Sequence, residues 1–240
     1  MALPMNSGAE AVETAIKAAR RWAYLSKKIE SNKAEIIVAD GNFHGRTTTI
    51  ISFSSDANSK NDFGPHTPGF VSVEFGSAKA IEQAINENTA AVLIEPIQGE
   101  SGIIVPPENF LPEVREICTK NNVLMILDEV QSGLGRTGKL FAFQHSNIQP
   151  DGLILGKALG GGFMPVSCFL ASKEVMQWLT PGSHGSTFGG NPLAAAIGKK
   201  SLELLEEENL IENSRVLGDF FKNALIDIKS NVIKEVRGKG

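Results

Sequence analysis

The sequence predicts an α/β fold in which a mainly parallel sheet lies between layers of helices. Three observations carry that expectation. Short apolar runs alternate with helical patterns along most of the chain, which is how parallel sheets with covered faces are built. Most of those runs are continuously apolar, as strands buried on both faces are. The first helical stretch has one apolar and one charged face.

Taken in order, Val12, Ala15, Ile16, Ala19, Trp22 and Ala23 recur at helical spacing, opposite Glu13, Lys17, Arg20 and Arg21, so a helix is expected from Gly8 to Leu25. A strand follows at Ile36 to Ala39, then a loop rich in Gly, Pro, Ser and Asn at Asp56 to Gly69. Strand Val71 to Phe75, helix Ala78 to Asn86 and strand Ala91 to Ile94 come next. A second loop, Gly99 to Pro107, leads to helix Glu108 to Lys120 and strand Val123 to Leu127. Strands Leu153 to Leu155 and Pro165 to Leu170 follow, with a shorter helix at Ser172 to Leu179 and a third loop at Thr180 to Pro192. Leu193 to Glu207 reads as a helix, and Val216, Phe220, Ala224 and Ile228 form the i, i+4 row of another. No repeat or linker divides residues 1–240 into two units.

Composition narrows the function. The 240 residues are 42% hydrophobic and 21% charged, which suits a globular chain with a substantial core. Lys and Arg number 23 against 27 Asp and Glu, a net charge of −4, and the longest like-charge block is Glu206 to Glu208. A surface for nucleic acid or anionic membranes therefore has no compositional support. Cys118 and Cys168 lack partners at metal-ligand spacing, so neither a disulfide framework nor a zinc site is expected, and a reducing compartment fits best. Four scattered histidines give no metal-binding pattern. No apolar run has the length of a membrane span, and Met1 to Asn6 is too short for a signal-peptide core.

Five stretches carry candidate chemistry. Asn6-Ser7-Gly8-Ala9-Glu10 opens the first helix, where free N–H groups and the helix dipole favour an anion, although Asn6 or Ser7 can equally be an ordinary cap. Asp128 ends a buried strand, where ligands of open α/β sheets bind; its carboxylate can hold a heterocyclic nitrogen protonated, or cap the next turn. Gly133-Leu-Gly-Arg-Thr-Gly138-Lys139 satisfies the dinucleotide pattern and most of the phosphate-loop pattern, which offers a nucleotide-binding module as an alternative. Against it, Leu140 stands where a Ser or Thr hydroxyl is needed, and Asp128 to Ser132 separate the glycines from the strand. Lys157 follows an apolar strand and precedes Gly160 to Gly162; a lysine so placed acts as an imine-forming nucleophile or proton shuttle, whereas most lysines are solvated. Ser183 to Pro192 has hydroxyls and amides suited to phosphate, or is simply a glycine-rich turn. His44, beside Phe43, is equally ambiguous.

In order and spacing these pieces resemble the class III, ω-type aminotransferases, which use pyridoxal phosphate, over essentially all 240 residues. The most specific is LDEVQSGLGRTGK followed by Asp151 and Gly156-Lys157; NSGAEA, NFHGRT, EPIQGESG and HGSTFGGNPLA fall in the family's order. Leu155-Gly-Lys-Ala-Leu-Gly-Gly-Gly and Pro165-Val-Ser fit the family's ornithine branch better than its acetylornithine branch.

The resemblance implies the three-layer large domain of fold-type I pyridoxal-phosphate transferases and a set of roles. Lys157 is the Schiff-base lysine and proton carrier, and Asp128 pairs with the pyridinium nitrogen of pyridoxal 5'-phosphate. Gly8 and Ala9 hold the phosphate, completed by Thr187 from the other subunit of a homodimer. Phe43, beside His44, stacks on the ring, and Gln131 reaches its phenolic oxygen. Arg46 clamps a substrate carboxylate with its planar fork; Glu95 lies near the pocket, and Glu100 is the gate that separates a distal-amine substrate from glutamate. The implied partners are an amino acid and a 2-oxo acid, with the δ-amino group of ornithine moving to 2-oxoglutarate, or acetylornithine or 4-aminobutyrate as alternative donors. No nucleic acid and no membrane are implied. By the same resemblance, residues 1–240 cover most of the large domain, while an N-terminal segment and a C-terminal small domain lie outside it. The chain alone is then expected to be inactive, and the cytoplasm, or alternatively the mitochondrial matrix, to be its location.

Overall fold

A computed structural model describes residues 1–240. Its strands are β1 (Ala2–Met5), β2 (Glu35–Ala39), β3 (Phe70–Val73), β4 (Thr89–Ile94), β5 (Leu124–Asp128), β6 (Gly152–Leu155) and β7 (Ser167–Ala171). Its helices are α1 (Gly8–Trp22), α2 (Thr48–Ile51), α3 (Ala57–Lys60), α4 (Ala78–Ala84), α5 (Phe110–Lys120), α6 (Lys173–Met176), α7 (Pro192–Glu207) and α8 (Leu210–Asp227). One seven-stranded sheet has the order β1-β7-β6-β5-β4-β2-β3. From β3 to β6 every pair is parallel, because a helical crossover must return the chain to the same edge before the next strand begins. At the other side β7 runs antiparallel to β6, and β1 antiparallel to β7.

Two layers of core follow from the alternation of side chains along each strand. Ile36, Val38, Leu93, Ile126, Ile154 and Phe169 pack on one face with Val12, Ile16, Ala19 and Trp22 of α1. Ile37, Val92, Ile94, Met125, Leu127 and Leu155 pack on the other with Ile81 of α4 and Phe110 and Val114 of α5. The three-layer expectation is met. Phe169 is wholly buried beneath Gly152, where an added Cβ would lie 2.9 Å from its ring. Phe169→Ala is expected to cost about 3–5 kcal/mol, read as a lower denaturation midpoint without a change in slope.

Asp151 ties the layers together. It accepts hydrogen bonds from the Met125 N–H and from Arg115 Nη1, both at 2.7 Å, and so fastens α5 to the start of β5. Several boundaries differ from the sequence reading. The strand expected at Val71 to Phe75 occupies Phe70–Val73, and Pro165 and Val166 precede β7 rather than beginning it. The helix expected to reach Leu25 ends as α1 at Trp22 and passes into a π-helical turn, Ala23–Lys27. The stretch Ser172 to Leu179 contains only the single turn α6. β1 is an additional strand; Pro4 interrupts its pattern, and a proline is tolerated there because the strand lies at the sheet edge. No helix is long and apolar enough to cross a membrane.

Candidate active site

Four adjacent strands end at one cavity of about 170 Å³. The segment after β2 supplies Phe43, His44 and Gly45, that after β4 supplies Glu95, β5 and its exit supply Asp128, Val130 and Gln131, and the exit of β6 supplies Lys157. Gly8 and Ala9 close the cavity from the start of α1. The cavity opens at the carboxyl ends of parallel strands, where β3 lies outside β2 while β4 to β6 extend the opposite way. Ligands of open α/β sheets bind at such reversals.

Ser7, not Asn6, caps α1. Its hydroxyl accepts the Glu10 N–H at 3.2 Å, and Glu10 Oε2 accepts the Ser7 N–H at 2.7 Å. This capping box leaves the N–H groups of Gly8 and Ala9 without an acceptor in the chain. Capping and anion binding are therefore compatible here: the free donors and the dipole both face the cavity. Gly8 is needed for that approach, since a Cβ on it would lie 3.0 Å from Val130 Cγ1. Gly45 holds φ +125° with Ala9 at its back, where a Cβ would come within 2.8 Å.

The carboxylate of Asp128 is buried and used on both oxygens. Oδ2 accepts from His44 Nδ1 at 2.7 Å, and Oδ1 accepts the Val130 N–H at 3.0 Å. Asp128 thus caps the turn and also faces the cavity. Nε2 of His44 is buried without a partner. Glu95 stands behind them; its carboxylate accepts the N–H of Phe43 at 3.0 Å and that of Gly99 at 3.4 Å, joining the loop of the candidate stacking ring to the loop of Glu100. Burial alone would lower the His44 pKa, but the hydrogen bond and charge of Asp128, with help from Glu95, outweigh it and raise the value. Burial pushes Glu95 up to about 7; the Asp128 charge adds to this, while His44 and the two backbone N–H groups oppose it.

The rise has a thermodynamic consequence. A carboxyl with a raised folded-state pKa adds stability that is full below its unfolded value and is lost as pH rises through the folded value. Glu95→Gln is therefore expected to flatten part of the fall in melting temperature between pH 4.5 and about 7. Melting curves of the two proteins that stay parallel over that window would contradict it.

Lys157 begins a 3-10 turn at φ +40°, in the left-handed region that is uncommon for non-glycine residues. Its side chain is half-exposed, and Nζ lies 3.7 Å from Glu100 Oε1. That same oxygen accepts from Gln131 Nε2 at 2.8 Å. Glu100 and Arg46 line a second, polar cavity of about 330 Å³ that shares Phe43, His44 and Gly45 with the first. The Arg46 guanidinium lies 6.0 Å from the Phe43 ring centre.

Of the residues singled out from sequence, Gly8, Ala9, Phe43, His44, Glu95, Asp128, Gln131 and Lys157 line the first cavity, and Arg46 and Glu100 the second. Thr187 does not join them; it is exposed on the loop before α7 and lines neither cavity. Val130 and Gly45 were missed, although Val130 lies only two positions beyond Asp128. The glycines of Gly133 to Lys139 open no helix and line neither cavity. Gly135 and Gly138 pass instead beneath α8, where a Cβ on Gly138 would meet Arg215 at 2.7 Å, and this loop lacks the helix N-terminus that a nucleotide phosphate requires. Glu129 turns away from the cavity, accepting the N–H groups of Ala142 and Phe143 at 2.6 and 2.9 Å.

The family model for class III aminotransferases matches residues 1–240. The chain is 58% identical over 238 residues to an ornithine aminotransferase of Staphylococcus carnosus, covering 99% of this chain and 60% of that protein. It is 60% identical over 239 residues to ornithine aminotransferase 2 of Staphylococcus aureus, covering all of this chain and again 60% of the relative. Among solved structures, the ornithine aminotransferase from Toxoplasma gondii ME49 superposes with a TM-score of 0.98 at 45% identity, covering 100% of this chain and 58% of the other. An acetylornithine aminotransferase from Elizabethkingia anophelis gives 0.87 at 52% identity, covering 100% and 59%. The chain spans about three fifths of the length of the curated relatives it matches.

Proposed function

The chain belongs to the class III aminotransferases, a pyridoxal-phosphate-dependent family, and from that premise we propose that its cavity is the cofactor half of an ornithine aminotransferase site. The observation that carries the reading is the convergence of Asp128, Lys157, Phe43 and the free amides of α1 on one cavity. The residues fit the cofactor: two unspent N–H donors suit its phosphate, the Phe43 ring its flat face, a buried carboxylate its ring nitrogen, and one amine its carbonyl carbon. When bound, pyridoxal phosphate supplies an electron sink that acidifies the C–H bond next to the transferred amine.

The chain's own residues do the rest. Asp128 holds positive charge at the ring nitrogen and is itself oriented by His44 and the Val130 N–H. Lys157 would provide the amine that holds the cofactor, and its Nζ would be the group that moves a proton at the substrate carbon. Gln131, which lines the cavity, would be the partner of the phenolic oxygen. Arg46 is assigned to a substrate carboxylate, and Glu100, which contacts Lys157 and Gln131, is assigned to discriminating donor from acceptor. Glu95 holds the Phe43 and Gly99 backbones in register.

The amino donor is ornithine, whose δ-amino group passes to 2-oxoglutarate to give glutamate semialdehyde and glutamate. The ornithine aminotransferases of Staphylococcus carnosus and Staphylococcus aureus, at 58% and 60% identity, support this choice. The active unit is a homodimer in which Thr187 completes the phosphate site of the other copy. Large exposed side chains at Phe163, Phe188 and Leu193 support a covered surface in that region. Two buried free thiols, Cys118 and Cys168, accord with a reducing compartment, and the cytoplasm is the proposed location. The test is kcat/KM on the product of the complete gene with 2-oxoglutarate as acceptor. Ornithine is expected to exceed acetylornithine and 4-aminobutyrate, and a higher value for either would replace the substrate assignment.

A further inference from the structure

The loop that carries Ser186 and Thr187 does not hang free; it is docked on α1 by His184. His184 Nε2 lies 2.8 Å from Thr14 Oγ1, and Nδ1 lies 2.9 Å from Lys17 Nζ. The protons on these bonds can be assigned from the partners. The single hydroxyl proton of Thr14 goes to the Glu10 carbonyl at 2.7 Å, so Nε2 must donate to Thr14. A lysine ammonium can only donate, so Nδ1 must accept. Both partners therefore select one species, the neutral imidazole with its proton on Nε2. Lys17 adds a bond to the Ser183 carbonyl at 3.3 Å, and Ser186 Oγ accepts from Asn6 Nδ2 at 3.0 Å beside the Glu10 carboxylate of the capping box.

We propose that His184 is a positioning residue for the site: in its neutral form it docks the 183–189 loop on the phosphate-binding helix, and its protonation undocks that loop. The proposal rests on the reading of α1 and Thr187 as parts of a phosphate site. Thr187 lies three residues beyond His184, so the docking that fixes His184 and Ser186 also fixes where Thr187 is presented.

The charged neighbours bear on the sign. Lys17 and Glu13 of α1 act on the ring, Glu10 is engaged with Asn6 and Ser7, and Arg21 bonds the Thr180 hydroxyl at the far end of the loop. Burial and then the Lys17 charge lower the His184 pKa from its ordinary 6.5, and Glu13 opposes them only in part. A base whose docked value is depressed binds fewer protons when docked, so docking is strongest above the free value and weakens as pH falls below it. A proton on Nδ1 would also face the Lys17 ammonium directly.

The test uses the 240-residue chain without cofactor. Histidine ring NMR should place His184 below 6.5, and Lys17→Met should shift that midpoint upward. Hydrogen exchange of residues 183–189 should rise as pH falls from 7.5 to 5.5 once corrected for the intrinsic rate. His184→Gln has an amide that can donate to Thr14 and accept from Lys17 but cannot titrate, so its corrected exchange should stay flat, while His184→Phe should exchange fast throughout. A His184 midpoint at or above 6.5, or a His184→Gln profile that follows the unsubstituted chain, would overturn the proposal. Because none of these readings involves pyridoxal phosphate, loss of cofactor binding would count against the proposed function and leave the docking result standing.

Discussion

Lys157→Ala is expected to abolish the visible absorption band that pyridoxal phosphate gives with the unsubstituted chain. In the product of the complete gene it is expected to lower kcat by at least about 10²–10⁴-fold, the contribution of a positioned proton-transfer group. Lys157 is the one amine among the residues lining the cavity, so no neighbour can take over either task. Its removal disturbs little else. The side chain is 49% exposed, and its ion pair with a similarly exposed Glu100 spans 3.7 Å, a contact worth no more than about 1 kcal/mol. Alanine must adopt the same left-handed backbone at φ +40° that lysine adopts, so that strain cancels. The melting temperature should consequently hardly move while the band disappears. Lys157→Arg keeps the charge opposite Glu100 but offers no nucleophilic amine, and it should lose the band equally. A band of unchanged intensity in either variant would remove Lys157 from its assigned role.

That role could be read from sequence because it depends on local signals: an apolar run, a strand end, a lysine and then glycines. Asp128 was legible for the same reason, and α1 was legible because its two faces separate at helical spacing. What could not be read depends on residues far apart in the chain. His44 was ambiguous because its partner lies 84 positions away, and only the neighbouring positions of β2, β4 and β5 in the sheet bring the two together. The reversal of β7 has no pattern of its own, since a strand buried on both faces shows the same apolar run in either direction. β1 was invisible because it is short, contains Pro4 and is defined only by its pairing with β7. The glycine run after Asp128 matched a phosphate-binding pattern only in part, and the misplaced Leu140 and the residues between strand and glycines already spoke against it. What sequence could not show is that Gly135 and Gly138 serve close passage beneath α8, since a pattern cannot distinguish backbone approaching a ligand from backbone approaching another helix.

Asp128→Asn is expected to reverse the direction in which His44 is shifted and, with it, the sign of that residue's contribution to stability. In the unsubstituted chain, burial disfavours the imidazolium, but the hydrogen bond and charge of Asp128 overcome this and hold the pKa above 6.5. Such a group stabilises the fold fully below its unfolded value and loses that contribution as pH rises through the folded value. Asparagine retains the shape and an acceptor oxygen but not the charge. Burial then dominates, since the charge of Glu95 is the weakest of the influences raising His44. The folded-state pKa should drop below 6.5, and His44 should weaken the fold as pH falls, because the unfolded chain then binds the proton that the folded one resists. Deleting one partner of a buried charged pair costs about 3–5 kcal/mol, a penalty that applies while the other partner is charged. The loss of stability in Asp128→Asn should therefore be larger at pH 5 than at pH 8. Denaturant titrations at the two pH values measure the gap directly, and a difference that is equal at both would mean that His44 and Asp128 share no proton-linked stability. The cofactor gives an independent reading of the same charge. If Asp128 acts at the ring nitrogen through its negative charge, the asparagine variant should retain the Lys157-dependent absorption band and still lose most of its transamination rate, because attachment needs only the amine whereas the electron sink needs the protonated ring.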